Sequence, residues 1–192
     1  MLSIASASLK NSLAVVEAFG QSSLPLVVQA ASVIAQGFAQ GNKLMAFGNG
    51  GSAADAQHLA GELVNRFQME RPNLPALALN TDTCVLTAIG NDYSYDEIFS
   101  RQIKALGNQG DLALGISTSG RSPNVIKALA AARDKGLVTL GLTGREGGDL
   151  PGLCDLLIRV PSDDTPRVQE VHALIIHILC ELVDLNLFGR SK

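Results

Sequence analysis

An α/β fold, with a mostly parallel sheet and helices on both its faces, is what this sequence of 192 residues predicts. Three observations carry that expectation. Short apolar, strand-like runs alternate with helix-length segments from residue 42 onward. Two of those runs break into glycine and hydroxyl residues just before a helix, at Gly48-Asn49-Gly50-Gly51-Ser52 and at Ser117-Thr118-Ser119-Gly120. The composition, 46% hydrophobic and 17% charged with 19 glycines and 4% aromatics, is that of a globular α/β chain.

The elements follow in order. Residues 9–39 are rich in Ala, Val, Leu and Gln, with Pro25 interrupting. They read as one helix ending near Phe19 and a second over Leu24–Ala39, closed by Gly41. Their apolar faces exceed what capping a small sheet requires, so a subunit interface is expected to cover them. Next come strand Lys43–Phe47, helix Ser52–Phe67, strand Ala76–Leu79, and helical turns at Cys84–Ile89 and Tyr95–Leu106. Strand Asp111–Ile116, helix Ser122–Lys135, strand Val138–Leu142, a loop at Gly147-Gly148 and strand Leu156–Val160 lead to a final helix near Thr165–Leu187. No linker or repeat divides the chain. Residues 1–192 read as one domain, with 1–41 as oligomerisation helices and 42–192 as sheet core and C-terminal helix.

Composition also excludes. The formal charge is -3 with no long basic run, which argues against nucleic acid as a partner. Nothing reads as a transmembrane span or a signal peptide, so no membrane association is expected. Cys84, Cys154 and Cys180 are far apart and odd in number. They fit neither a disulfide scaffold nor a C-x-x-C metal site, and a cytoplasmic location is expected.

A strand that breaks into glycines and hydroxyls before a helix presents free backbone N–H groups at the positive end of a helix dipole. That is a site for a phosphate or for sugar oxygens. The plainer alternative is turn chemistry, with Ser52 and Ser122 as helix caps. Two such loops in one small chain, both at carboxyl ends of strands, favour a phosphosugar pocket. The first loop lacks G-x-G-x-x-G, which argues against a dinucleotide.

His58 and Glu62 stand four apart on the helix after the first loop, on one face and about 6 Å apart in rise. Such a pair can share a metal, act as acid and base, or be an exposed polar pair. Asp55, a turn earlier, is placed to orient His58 or to complement the helix N-terminus. The last helix adds Gln169, Glu170, His172 and His177. His177 lies about 12 Å beyond Gln169 and about 80° around, so one ion takes both only if the side chains lean together or two subunits contribute. Asn91-Asp92 falls at an expected strand-end loop, with Asp92 either a helix cap or a wall of the pocket. Arg66, Arg71 and Arg167 are candidate positive charges toward a phosphate, or solvated surface groups.

Six stretches together resemble a known family: GNGGSAADAQHLAGELVNRF (48–67), RPNLPALAL (71–79), AIGNDYSYDEIFSRQ (88–102), GDLALGISTSGRSPNVIKAL (110–129), LTGREGG (142–148) and RVQEVHALIIHILCELVD (167–184). They resemble the sugar isomerase (SIS) domain family and, within it, the sedoheptulose 7-phosphate isomerases. The likeness spans nearly the whole chain and is weakest over the first 40 residues. It implies a SIS-type, flavodoxin-like three-layer sandwich around a five-stranded sheet. It also implies an aldose–ketose isomerase acting through an enediol, making D-glycero-D-manno-heptose 7-phosphate for lipopolysaccharide-core heptose.

Carried over residue by residue, the resemblance implies substrate contacts at Asn49, Gly50, Gly51, Glu62, Asn91, Asp92, Ser117, Thr118, Ser119, Ser122 and Gln169. It implies catalytic roles for Glu62 and His177, and one zinc per subunit on His58, Glu62, Gln169 and His177. A homotetramer with active sites between subunits is implied as well. Arg121-Ser122-Pro123 departs from the family pattern, although proline suits a first helical position.

Two alternatives stand beside this reading. The RPxLPAxALNTD stretch at 71–82 also resembles the DnaA initiator-associating protein, a non-catalytic SIS-domain binder. Such a binder needs neither Glu62 nor His177, and both are present. The other alternative is an isomerase of a different phosphosugar.

Overall fold

Sheet order in the computed structural model, which describes residues 1–189, bears out the α/β expectation. The strands are β1 Leu44–Gly48, β2 Ala76–Ala78, β3 Leu112–Ser117, β4 Val138–Thr143 and β5 Leu156–Arg159. They pair in the order β2-β1-β3-β4-β5, every pair parallel, with Gly48 opposite Ile116 and Ser117 opposite Thr143. This is the doubly wound order in which the chain turns away in opposite directions from β1 and β3. In sheets of this order ligands bind there, at the strands' carboxyl ends.

The helices are α1 Leu2–Ser22, α2 Leu24–Ala39, α3 Gly51–Val64, α4 Thr83–Asp92, α5 Ser100–Leu106, α6 Pro123–Asp134 and α7 Thr165–Phe188. Strand alternation divides the core into two layers. Leu44 and Ala46 of β1 join α1, α2, α3 and α7 residues such as Phe19, Ile34, Leu59 and Ile175 on one face. Met45 and Phe47 meet Ile103, Val125 and Leu129 of α5 and α6 on the other. Every residue of β1 and β3 is buried, which is why both strands read as unbroken apolar runs.

By length and composition α7 would cross a bilayer. Its residues Val168, Val171, Ile175, Ile176, Leu179 and Val183 instead lie in the core, beside α2 and α3. α1 is different: only Phe19 of it is buried, while Leu2, Ile4, Leu9 and Leu13 are exposed. Ser12 donates to Glu170, and Arg167 donates to the Ser8 carbonyl, which ties α1 to α7.

α1 starts at Leu2 and runs to Ser22, past the expected end near Phe19, and three other boundaries differ from the sequence expectation for a local reason. α3 stops at Val64, short of Phe67, because the Arg71 guanidinium takes the carbonyls of Glu62, Leu63 and Asn65. The turns at Cys84–Ile89 extend into all of α4, capped by Asp82, whose carboxylate accepts from the Val85 N–H at 3.0 Å. Asn91 and Asp92 therefore sit in the last turn of a helix, not in a strand-end loop. The segment 95–106 divides into a 3-10 turn at Tyr95–Glu97 and α5.

Candidate active site

Both glycine–hydroxyl loops lie at the carboxyl ends of the adjacent strands β1 and β3. The first leads into α3 through Gly50, whose φ of 56° is left-handed backbone that glycine adopts freely. Gly50, not Ser52, is the N-cap. Ser52 is buried within the first turn, where its Cβ would collide with any side chain at Gly48. In the second loop Ser122 does occupy the N-cap of α6, but its hydroxyl makes no capping bond. It pairs instead with the Ser117 hydroxyl at 2.9 Å. Ser119 is exposed, accepting the Arg121 N–H at 3.2 Å. Gly120, at φ 67°, is pressed on the Gly147-Gly148 loop so closely that a Cβ would strike the Gly147 carbonyl. Beside this loop a cavity of about 230 Å³ is lined by Thr118, Ser119, Ser162 and Thr165 and by Arg121 and Arg145, whose guanidinium groups are paired with Glu146 and Asp163 on the same wall. A larger hollow of about 520 Å³ lies against β2, α4 and α5, is lined mainly by apolar side chains, and touches neither loop.

The first loop is bonded to the start of α6 and to the 3-10 turn. Asn49 of the first and Asn124 of α6 exchange amide hydrogen bonds, 2.9 Å each way, and the Tyr95 hydroxyl donates to the Asn49 carbonyl oxygen at 3.1 Å. Sequence reasoning missed Asn124 and Tyr95. A lone amide inside a helix and a tyrosine in a turn form no pattern.

α3 and α7 bring together His58, Glu62 and His177. His58 Nε2 lies 3.3 Å from Glu62 Oε1 and 3.3 Å from His177 Nε2. The two imidazoles meet edge to face, and Phe67 stacks on His177. Gln169 stands elsewhere: its amide covers Gly51, where a Cβ would collide with it. Gly51 is seven residues before His58, about 10 Å along the helix axis. Among the described residues no three His, Cys, Asp or Glu side chains close into a metal-binding group. The separations from His58 nonetheless suit shared ligation. Donors bound at about 2.0–2.1 Å to one tetrahedral zinc stand roughly 3.3–3.4 Å apart.

Other candidates are sorted by their partners. Asp55 does not hydrogen-bond His58. Its Oδ2 is buried without a partner, and burial pushes its carboxyl up to about 6, partly offset by His58. Asp92 accepts from Asn91 at 2.8 Å, and both are exposed. Arg71 is no phosphate ligand, being wholly buried and paired with Asp184 at 2.8 Å. Arg66 pairs with Glu70, and Arg167 with Glu170. His172 is buried inside the fold, with Nε2 3.4 Å from the Thr143 carbonyl, and burial pushes its pKa down to about 4.

Comparison with known proteins fits this geometry. Residues 8–144 match the SIS domain. The chain is 62% identical over 162 residues to a phosphoheptose isomerase of Nitratidesulfovibrio vulgaris, an alignment spanning 84% of this chain and 78% of the relative. It is 53% identical to the phosphoheptose isomerase of Pelobacter propionicus over 98% of this chain and 100% of the relative. The chain belongs to the phosphoheptose isomerase family. The solved phosphoheptose isomerase of Neisseria gonorrhoeae superposes with a TM-score of 0.91 at 42% identity, covering 95% of this chain and 98% of that one. Membership makes the chain an isomerase and sets aside the non-catalytic binder. The fold of the family is the one described above.

Proposed function

We propose that this isomerase interconverts sedoheptulose 7-phosphate and D-glycero-D-manno-heptose 7-phosphate, the step that supplies heptose for the lipopolysaccharide core. The observation that carries the reading is the meeting of His58, Glu62 and His177, on the last helix and on the helix that the first glycine–hydroxyl loop opens. Aldose–ketose exchange needs one base for the proton moving between C1 and C2, and an acid for the oxygens. Glu62 takes the C1 proton of the ketose and returns it to C2. His177 protonates O2 as the enediol forms and receives the O1 proton as the aldehyde forms. The phosphate rests on Ser117, Thr118, Ser119, Ser122 and the start of α6, far from the reacting carbons, where its binding energy positions the chain. Asn49, Gly50, Gly51, Asn91 and Asp92 face the sugar.

A zinc ion held by His58, Glu62, Gln169 and His177 would polarise the sugar oxygens, with Glu62 leaving the metal to act as base, or, with all four ligands kept, would hold these groups in place. The 3.3 Å separations around His58 support the set. The position of Gln169 over Gly51 means that its side chain turns, or that a neighbouring subunit contributes, to complete it. We further propose a homotetramer working in the cytoplasm, with the exposed leucines of α1 covered between subunits. A coupled assay of sedoheptulose 7-phosphate beside ribulose 5-phosphate and fructose 6-phosphate tests the substrate. Preference for the seven-carbon ketose is expected, and preference for either shorter sugar overturns the assignment.

A further inference from the structure

We infer that Asn124 and Tyr95 are positioning residues that hold the Asn49 amide in one plane, with a single polar position left to meet the sugar. The inference rests on the reading of Asn49 as a sugar contact. It comes from counting donors and acceptors. An asparagine amide has two N–H donors and an oxygen with two lone pairs. The Asn49 oxygen accepts from Asn124 Nδ2 at 2.9 Å and from the Tyr95 hydroxyl at 3.1 Å, which fills both lone pairs. Its nitrogen donates one hydrogen to Asn124 Oδ1 at 2.9 Å. In this orientation one N–H remains. Flipping the Asn49 amide alone would set its nitrogen against the Asn124 nitrogen and lose the reciprocal pair, whereas flipping both amides together keeps the pair and makes the Tyr95 hydroxyl the acceptor, so the contacts fix the plane of the Asn49 amide and leave one polar position on it free.

The three residues come from three elements. Asn49 follows β1, Asn124 is the second residue of α6, and Tyr95 opens the 3-10 turn. Asn124 is 1% exposed and sits directly after the loop assigned to the phosphate, whereas Tyr95 is 62% exposed. The contacts between sugar and phosphate ends are thus coupled by one buried amide. Arrival of a phosphate at Ser117–Ser122 steadies α6, and through Asn124 it steadies the amide that meets the sugar.

The probe is the non-isomerisable heptitol 7-phosphate, titrated calorimetrically, with kcat and KM on sedoheptulose 7-phosphate and a melting curve for each variant. Tyr95→Phe removes one neutral hydrogen bond at an exposed site, so about a two- to tenfold loss of affinity and rise in KM is expected with an unmoved Tm. Asn49→Ala and Asn124→Ala should each weaken the probe. Because Asn124 acts only through Asn49, the double variant should bind no worse than Asn49→Ala alone. Losses that multiply in the double variant, or Tyr95→Phe with wild-type affinity, overturn the inference. If Asn49→Ala itself binds as tightly as wild type, the reading of Asn49 as a sugar contact fails and the inference falls with it.

Discussion

Removing the negative charge of Asp184 should loosen the joint between the two helices that carry Glu62 and His177. Arg71 reaches this joint wholly out of solvent, and Asp184 is 4% exposed on its side chain. The guanidinium donates to Asp184 at 2.8 Å, to the Leu63 carbonyl at 2.8 Å and to the Glu62 carbonyl at 2.9 Å. Those two carbonyls belong to the last turn of α3, which has no helical partners for them, and a cation is favoured at that negative end. Asp184 belongs to α7, so one buried cation fastens the end of α3 to α7. Asp184→Asn preserves shape while leaving that cation without its counter-charge, a loss of about 3–5 kcal/mol. Urea unfolding at one fixed protein concentration reads it as a fall in the midpoint with the slope unchanged. Arg71→Met should cost a similar amount, and the double variant Arg71→Met/Asp184→Leu less than the sum. A loss below about 1 kcal/mol for Asp184→Asn would refute the account of the joint, since so small a value belongs to a solvated surface pair.

Further outcomes follow from other buried groups and from the second loop. His172 is held neutral in the fold down to about pH 4, against 6.5 for the free side chain. Its stabilisation is complete above pH 6.5 and is lost as the pH falls through 4, by up to roughly 3 kcal/mol, because only the unfolded chain takes the proton in that window. His172→Gln should flatten that slope in urea midpoints measured from pH 7 to pH 4. Asp55 works in the opposite sense. Its carboxyl is raised from 3.8 to about 6, so its contribution is fullest below pH 3.8 and is lost as the pH rises through 6. Asp55→Asn should therefore raise the midpoint at pH 7. Ser119→Ala should weaken phosphosugar binding by roughly ten- to a hundredfold, the worth of one hydrogen bond to a charged group, with bound zinc unchanged by metal analysis.

How much of this was legible in the sequence depends on how local each determinant is. β1 and β3 are buried on both faces, so continuous apolar runs announced them, and the glycine–hydroxyl loops marked their carboxyl ends because a turn from strand to helix constrains its own few residues. The pairing of His58 with Glu62 followed from helical spacing alone. The end of α3 did not. It is set by Arg71, whose partner Asp184 lies 113 residues away, and no local pattern distinguishes that arginine from one facing a phosphate. Ser52 resembled a cap by residue type, yet the helix already begins at Gly51, after the left-handed Gly50, so Ser52 lies inside the first turn. Asn124 was invisible for the same reason: its partner Asn49 is 75 residues away, on a loop after another strand.

The central claim is that Glu62 and His177 carry out the proton transfers of a sugar isomerase. The direct measurement is kcat of Glu62→Gln and His177→Ala on sedoheptulose 7-phosphate, alongside melting curves and light scattering to verify intact folding and assembly. The account predicts that each variant loses more than about tenfold, at least ~1.4 kcal/mol of transition-state stabilisation, while the Tm and the particle mass hold. Two well-folded variants that each keep more than about a tenth of the wild-type kcat would contradict it.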